Sequence, residues 1–256
     1  MEIVILTALG VGGATVFGAI IGFIFKDVSH KFTDIVLGFA AGIMLCAAMS
    51  GLIMPAVDFA VESTSGWVAI LTVISGILVG AIVLSLIDKL SPRFCVPCKS
   101  ESENTATRES RERVMLFVMA IAIHNLPEGI ATGVGFGSEN MGAAFTIALG
   151  IALQNIPEGM VIISPMLCSG ASKRKTLLIA VLTGVIEIVG TFIGYFAVNL
   201  SRTILPFALA FAGGTMLYVI CEEMIPETHE NGRGRRATYA LLLGFCLMMT
   251  VNFFLS

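Results

Sequence analysis

Eight long apolar runs dominate the sequence and constrain its fold more than any other feature. A helix needs about 20 apolar residues to cross a bilayer, and each run is close to that length. The runs cover residues 2–25, 33–57, 66–87, 114–135, 141–165, 177–199, 203–225 and 238–255. Only 13% of the residues are charged, about half the share that is usual in soluble domains. The sequence therefore predicts an all-α polytopic membrane protein, with eight transmembrane helices in a single domain, 1–256.

The basic residues lie almost entirely on one side of these predicted helices. Of the fifteen Lys and Arg residues, only Arg202 falls in an even-numbered loop. Cytoplasmic loops of membrane proteins carry an excess of Lys and Arg. We therefore expect the odd-numbered loops in the cytoplasm and both termini outside, in a plasma (inner) membrane. The third loop, 88–113, contains the polar run ESENTATRESRER and is predicted to be a flexible cytoplasmic loop.

Two segments in the second and seventh runs are similar to each other. LGFAAGIML at 37–45 matches LAFAGGTML at 209–217 at six of nine positions. Because these helices are predicted to cross in opposite directions, the similarity indicates an inverted repeat that relates helices 1–3 to helices 6–8 around a central pair, helices 4 and 5. Inverted repeats are common in secondary transporters, whose substrate site lies near the midplane. The alternative is that small-residue segments look alike wherever helices pack closely.

Two copies of one polar motif interrupt the fourth and fifth runs. They read HNLPEG at 124–129 and QNIPEG at 154–159. In each copy the first residue and the glutamate are four positions apart and share one helix face, with the asparagine beside them. The proline leaves a carbonyl one turn earlier without its helical partner, which predicts a kink there. The polar side chains concerned are His124, Asn125, Glu128, Gln154, Asn155 and Glu158.

These side chains are predicted to lie near the middle of the bilayer. His124 and Gln154 are each about 14 residues from the outer turn near 137–140, which corresponds to about 21 Å of depth. Glu187 in the sixth run reaches a similar depth, as does Met44, for which simple packing is the alternative. A charge at midplane costs about 2.5–3.5 kcal/mol. Protons or a metal ion must balance these carboxylates, and imidazole, carboxylate and amide groups suit zinc, iron(II) or manganese.

The same residues also admit other roles. A single Asn or Gln in a membrane helix often only bonds a neighbouring helix. An intramembrane metalloprotease needs a pattern such as HExxH, which the sequence lacks, so neither an enzyme nor a catalytic cofactor is expected. A channel-like pore that contains the same site remains an alternative to a carrier.

The paired motifs, the eight predicted helices and the long third loop resemble the ZIP family of divalent-metal transporters, most closely its bacterial members, over essentially the whole chain. The resemblance implies uptake of zinc, or of iron, manganese or cadmium, toward the cytosol. It implies a binuclear site in which one ion is bound by His124, Glu128, Gln154 and Glu158. The second ion would be bound by Asn125, Asn155 and Glu187, with Glu128 and Glu158 bridging. Some relatives have Asp at the position of Asn155, and the missing charge weakens the second position.

Residues near the cytoplasmic ends complete the set of predicted functional residues. The resemblance implies that Glu222, Glu223 and His229 line an exit path for the metal, and solvated helix ends are the alternative. Cys95 and Cys98 form a lone CxxC, which is predicted to be a free thiol pair. The expected partners are the divalent ion, the lipid bilayer and, as one oligomeric state, a second copy in a homodimer. Nucleic acid is not expected because no basic tail is present.

Overall fold

The computed structural model describes residues 1–24, 30–94, 125–137, 141–168, 170–200, 202–229 and 234–255, and all regular structure in these ranges is helical. The helices are α1 (Glu2–Ile24), α2 (His30–Ala47), α3 (Met54–Ser63), α4 (Gly66–Phe94), α5 (125–137), α6 (Met141–Cys168), α7 (Lys173–Leu200), α8 (Leu205–Val219), α9 (Ile225–His229) and α10 (Gly234–Leu255). Short π-helical segments, Ala48–Ile53 and Ile220–Met224, join α2 to α3 and α8 to α9. A 3-10 turn, Arg202–Ile204, precedes α8.

Seven helical segments in the described ranges are long and apolar enough to cross a membrane. They match seven of the eight predicted runs. The fourth run is represented by α5, and residues 114–124 of that run lie outside the described part of the chain. Large apolar side chains such as Leu71, Leu78 and Ile82 are exposed along α4, as a lipid-facing surface requires. The prediction of an all-α polytopic membrane protein is confirmed, whereas the number of eight helices remains a prediction.

The largest differences between the observed and the predicted helix boundaries occur in two places. The second span runs through α2, the π segment and α3 and is longer at both ends than 33–57. Helix α4 continues through Phe94, so the first residues of the predicted loop 88–113 are helical. The physical reason is that charged residues such as Lys89 and Arg93 mark the exit from the apolar layer but are themselves good helix formers. The rest of that loop, with Cys95 and Cys98, lies outside the described residues.

Both π-helical segments end two residues before a proline. Pro55 follows Ala48–Ile53, and Pro226 follows Ile220–Met224. A proline has no N–H and cannot bond the carbonyl four residues earlier. In both places the residue before the proline donates its N–H five residues back, from Met54 to Met49 and from Ile225 to Ile220. The wider turn thus accommodates the interrupted helical ladder.

Glycines bring α1, α5, α6 and α7 together into one bundle, the first bundle. Gly18 of α1 lies against the backbone carbonyl of Ile156 on α6, and α1 also packs on α7. Gly129 of α5 lies against the backbone carbonyl of Glu187 on α7. At each of these contacts a Cβ atom would collide with the opposite backbone. Such close approach through small residues is the usual way for helices to associate in lipid.

The remaining helices form a second bundle with the same kind of contact. Helix α2 packs on α10, where Gly42 lies against the backbone carbonyl of Leu241. Helix α4 packs on α8, where Gly80 lies against the backbone carbonyl of Phe211. Within each of these two pairs the backbones approach as closely as they do in the first bundle.

The contacts between the two bundles are of a different kind. Helix α6 of the first bundle packs on α2, on the following π segment and on α10 of the second. There Gly51 faces the side chain of Ile147, and Gly150 faces the side chain of Met248. Between the bundles, therefore, these glycines meet flexible side chains instead of backbone.

We expect Gly18→Ala to lower the apparent melting temperature of the detergent-solubilised protein. The added Cβ would push α1 away from the Ile156 carbonyl, and overpacking of this kind costs about 1–3 kcal/mol. Gly13→Ala is the matched control, because nothing lies within 4 Å of a Cβ at that position of the same helix. Equal melting temperatures for the two variants would contradict the packing described for α1 and α6.

Candidate metal site

The polar residues predicted from the two motifs meet in the middle of the first bundle. Gln154 and Asn155 lie at the centre of the 28-residue helix α6, and Glu187 lies at the centre of α7, which also has 28 residues. Glu128 is on α5, and all four side chains are buried. Three helices thus contribute to one polar cluster in an otherwise apolar interior.

Two amide side chains of α6 hold the carboxylates of the neighbouring helices. Nε2 of Gln154 donates a hydrogen bond of 2.6 Å to Oε1 of Glu128. Nδ2 of Asn155 donates to both carboxylate oxygens of Glu187, at 2.7 and 2.8 Å. The same nitrogen lies 3.3 Å from the backbone carbonyl oxygen of Val11 on α1. Helix α6 is therefore linked through polar bonds to α5, α7 and α1.

The cluster contains carboxyl groups that no buried basic side chain balances in the described residues. Glu158 and Glu187 both lie close enough to Glu128 to interact with it electrostatically. Glu158 is half-buried and has an interaction partner of its own. Among the described residues, no buried side chain is Lys, Arg or His. Because an uncompensated charge in a membrane interior is costly, this arrangement favours the binding of a cation.

The amides also leave oxygen atoms available for such a cation. Oε2 of Glu128, Oε1 of Gln154 and Oδ1 of Asn155 are buried and have no hydrogen-bond partner within the described part of the chain. A buried acceptor without a partner costs about 1–3 kcal/mol. A divalent cation can satisfy carboxylate and amide oxygens together, since these are ordinary ligands for hard and borderline ions.

The composition of this cluster is unusual for a metal site. In the described ranges, His, Cys, Asp and Glu side chains do not by themselves form a group of three that could hold an ion. The cluster relies on the amides of Gln154 and Asn155 as well as on carboxylates. His124 lies outside the described residues, and Asn125 is buried on α5 and has an interaction partner.

Met44 lies in the packed apolar core. Its side chain is buried in the largest apolar cluster, together with Val11, Ile151 and Met216. These neighbours explain the presence of Met44 as a packing residue of the core. Its role as a metal ligand stays a prediction.

The residues predicted for the exit path lie around the second π segment. Glu222 is exposed, and Glu223 is half-buried and has an interaction partner. Nδ1 of His229 donates to the carbonyl oxygen of Ile225 at 2.8 Å, and its Nε2 shares a 3.3 Å hydrogen bond with Oγ1 of Thr238. His229 thus connects α9 to the first turns of α10, which is sufficient to explain its presence. The exit path itself remains a prediction.

Two buried residues with a polar atom that lacks a partner in the described ranges were not predicted from the sequence. Thr15 on α1 and Asp34 on α2 each have a buried oxygen without a hydrogen-bond partner among the described residues. Asp34 could have been recognised as an acidic residue at the start of an apolar run. Thr15 gives no such signal, because threonine is common in membrane helices and only the packing reveals that its hydroxyl is isolated.

Comparison with known proteins identifies similar chains. The sequence profile of the ZIP zinc transporter family matches residues 88–252. The chain is 36% identical over 249 residues to the zinc transporter GufA of Myxococcus xanthus, covering 97% of both chains. It is 37% identical to the zinc transporter ZupT of Chlorobaculum parvum, covering 93% of this chain and 91% of that protein. It is 31% identical to the zinc transporter ZIP11 of Homo sapiens, covering 94% and 93%.

We expect Asn155→Asp to destabilise the metal-free protein and to make its stability more dependent on metal. The substitution removes the amide N–H groups that hold Glu187 and places a second carboxylate there, at a cost of about 1–3 kcal/mol. Thermal unfolding in detergent, with a chelator and then with zinc, measures both effects. Asn252→Asp, near the end of α10, is the control. Equal melting temperatures for Asn155→Asp and the wild type in the presence of the chelator would contradict this expectation.

Proposed function

Because the chain belongs to the ZIP family of zinc transporters, we propose that it moves divalent metal cations, zinc first among them, into the cytoplasm through the site between α5, α6 and α7. Membership of a family of transporters confirms that the chain is a membrane transporter and not an enzyme, as predicted from the sequence. The similar proteins of Myxococcus xanthus, Chlorobaculum parvum and Homo sapiens are all named zinc transporters.

The observation that carries this proposal is the group of buried oxygens at the centre of the first bundle. Glu128 and Glu187 are buried without a basic partner in the described residues. Gln154 and Asn155 turn their nitrogens to those carboxylates and leave their own oxygens without partners in that part of the chain. A divalent cation supplies both the positive charge and the missing partners.

The site is proposed to have two metal positions of unequal strength. The first is formed by His124, Glu128, Gln154 and Glu158, and the second by Asn125, Asn155 and Glu187, with Glu128 and Glu158 bridging. In the second position both oxygens of Glu187 already accept hydrogen bonds from Asn155. A cation there must displace these bonds, so it is held less tightly than in the first position. Iron, manganese and cadmium are proposed as further substrates, since imidazole, carboxylate and amide ligands accept all of them.

An inverted repeat with eight membrane helices is part of the proposal. Gly18 lies against the backbone carbonyl of Ile156, and Gly190 lies against the backbone carbonyl of Leu126. The two glycines are 172 positions apart, and the two carbonyls are 30 positions apart. The offset of 172 also separates the two similar nine-residue segments, and 30 separates the two motifs. Matching contacts at matching offsets support two related halves. The distribution of Lys and Arg supports outside termini, a cytoplasmic loop between helices 3 and 4, and a plasma membrane location.

A carrier mechanism fits the two bundles better than a pore. The cluster of Glu128, Gln154, Asn155 and Glu187 lies wholly within the first bundle. Close backbone contacts hold the first bundle together and join α2 to α10 and α4 to α8, whereas side chains mediate the glycine contacts between the two bundles. Rigid-body movement of one packed unit against another is a common mode of conformational change, and it would expose the site to each side in turn.

We expect Glu128→Gln and Glu158→Gln to reduce zinc uptake into proteoliposomes by about tenfold or more, since loss of groups at metal sites weakens binding by at least this factor. Uptake is measured with a zinc-sensitive dye inside the vesicles. Glu62→Gln, at the exposed end of α3, is the control and should transport normally.

The same assay separates the carrier from the pore. The initial rate of a carrier saturates as the zinc concentration rises, whereas a linear increase would indicate a pore. If both glutamate variants transport at the wild-type rate, the site assignment is wrong.

A further inference from the structure

Thr15 of α1 carries a hydroxyl group that the helix does not use. The side chain is fully buried, and its Oγ1 has no hydrogen-bond partner in the described part of the chain. Other buried threonines of the bundle, such as Thr132 and Thr191, donate to the carbonyl four residues earlier. For Thr15 that carbonyl belongs to Val11, and it accepts a hydrogen bond from Asn155 instead. The carbonyl that would usually accept from this hydroxyl is thus already bonded to Asn155 of α6.

The surroundings of Thr15 place it beside the metal site. Helix α1 packs on α6 and α7, so a fully buried α1 side chain lies against these helices. The carbonyl of Thr15 lies against Gly159, the residue after Glu158. One turn earlier on α1, the Val11 carbonyl contacts the same Asn155 nitrogen that bonds Glu187. Thr15 therefore adjoins the Asn155–Glu187 pair.

The repeat gives Thr15 a functional counterpart. Thr15 and Glu187 are 172 positions apart, the offset that relates the two halves. Gly159 lies against the Thr15 carbonyl in the same way that Gly129 lies against the Glu187 carbonyl. Thr15 therefore has the same position relative to the motif on α6 that Glu187 has relative to the motif on α5.

We propose that the hydroxyl oxygen of Thr15 is a further ligand of the transported divalent cation, supplied by α1 at the Asn155–Glu187 end of the site. The proposal rests on the proposed function, because it adds a ligand to the same site. Of the five buried side-chain oxygens without hydrogen-bond partners in the described ranges, four belong to the first bundle, namely Glu128 Oε2, Gln154 Oε1, Asn155 Oδ1 and Thr15 Oγ1.

A hydroxyl is suited to this position for two reasons. Its oxygen can bind a cation while its hydrogen is donated to a neighbouring carboxylate. It also adds a ligand without adding charge, where Asn155 already takes the place of a carboxylate. An ion with six oxygen ligands, such as Mn²⁺, depends on such an extra ligand more than zinc, for which four ligands suffice.

The test measures the dissociation constants of Zn²⁺ and Mn²⁺ for the purified full-length protein in detergent. Thr15→Val keeps the shape and removes the hydroxyl, and we expect it to weaken Mn²⁺ binding by about tenfold and Zn²⁺ binding by about threefold. Thr15→Ser keeps the hydroxyl and should bind both ions within about twofold of the wild type. Thr176→Val is the control, since this buried threonine of α7 bonds its own helix at Ser172, about 16 Å along the axis from Glu187.

The proposal would be overturned if Thr15→Val bound both ions with wild-type affinity. It would also be overturned if the affinity for both ions fell by the same factor, because that would indicate a purely structural effect. If Thr15→Val does not fold, Thr15→Ser is compared with Thr15→Ala, because these two differ only in the hydroxyl, and equal affinities again overturn it. Normal binding by Thr15→Val together with loss of binding by Glu128→Gln refutes this inference alone. A wild type that binds neither ion refutes the proposed function itself.

Discussion

The close approach of glycine to backbone carbonyl is the contact on which this structure depends. In lipid, apolar side chains gain little by leaving their surroundings, so helices associate through close packing and polar bonds. The last residue of each motif makes such a contact, Gly129 with α7 and Gly159 with α1. Each glycine follows the motif glutamate directly, so the contact that joins two helices also fixes the depth and direction of the carboxylate. Packing and site are therefore specified by the same six residues.

The two amide side chains of α6 have two different roles, one for their nitrogens and one for their oxygens. Their nitrogens hold the carboxylates of α5 and α7, at 2.6 Å for Gln154 and 2.7–2.8 Å for Asn155. Their oxygens have no such bond in the described residues. An aspartate in place of Asn155 could not donate to Glu187, and two carboxylates would then face each other without a bridging hydrogen. The asparagine thus stabilises the bundle through its bonds to Glu187 and keeps one carboxylate fewer in the cluster.

Much of this could be predicted from the sequence, because hydropathy and spacing are local properties. The apolar runs predicted the spans, and counting residues from the outer turn placed Gln154 and Glu187 at mid-helix, where the structure has them. The π segments and the role of His229 in joining α9 to α10 depend on which carbonyls find donors. Thr15 is the clearest case, since its isolation results from a bond between Asn155 and Val11, 144 positions apart. No local pattern contains that information.

The position of the polar cluster relative to the two bundles bears on how the cation travels. The carboxylates and amides that meet belong to α5, α6 and α7, and α1 joins them through Val11. In the proposed function, a cation bound there would contact one bundle and would move with it. Ile147 and Met248 face glycines across the boundary to the second bundle, and their side chains can change rotamer, whereas the carbonyls that face Gly129 and Gly159 cannot. Sliding at that boundary would therefore leave the polar cluster intact, as the proposed carrier mechanism requires.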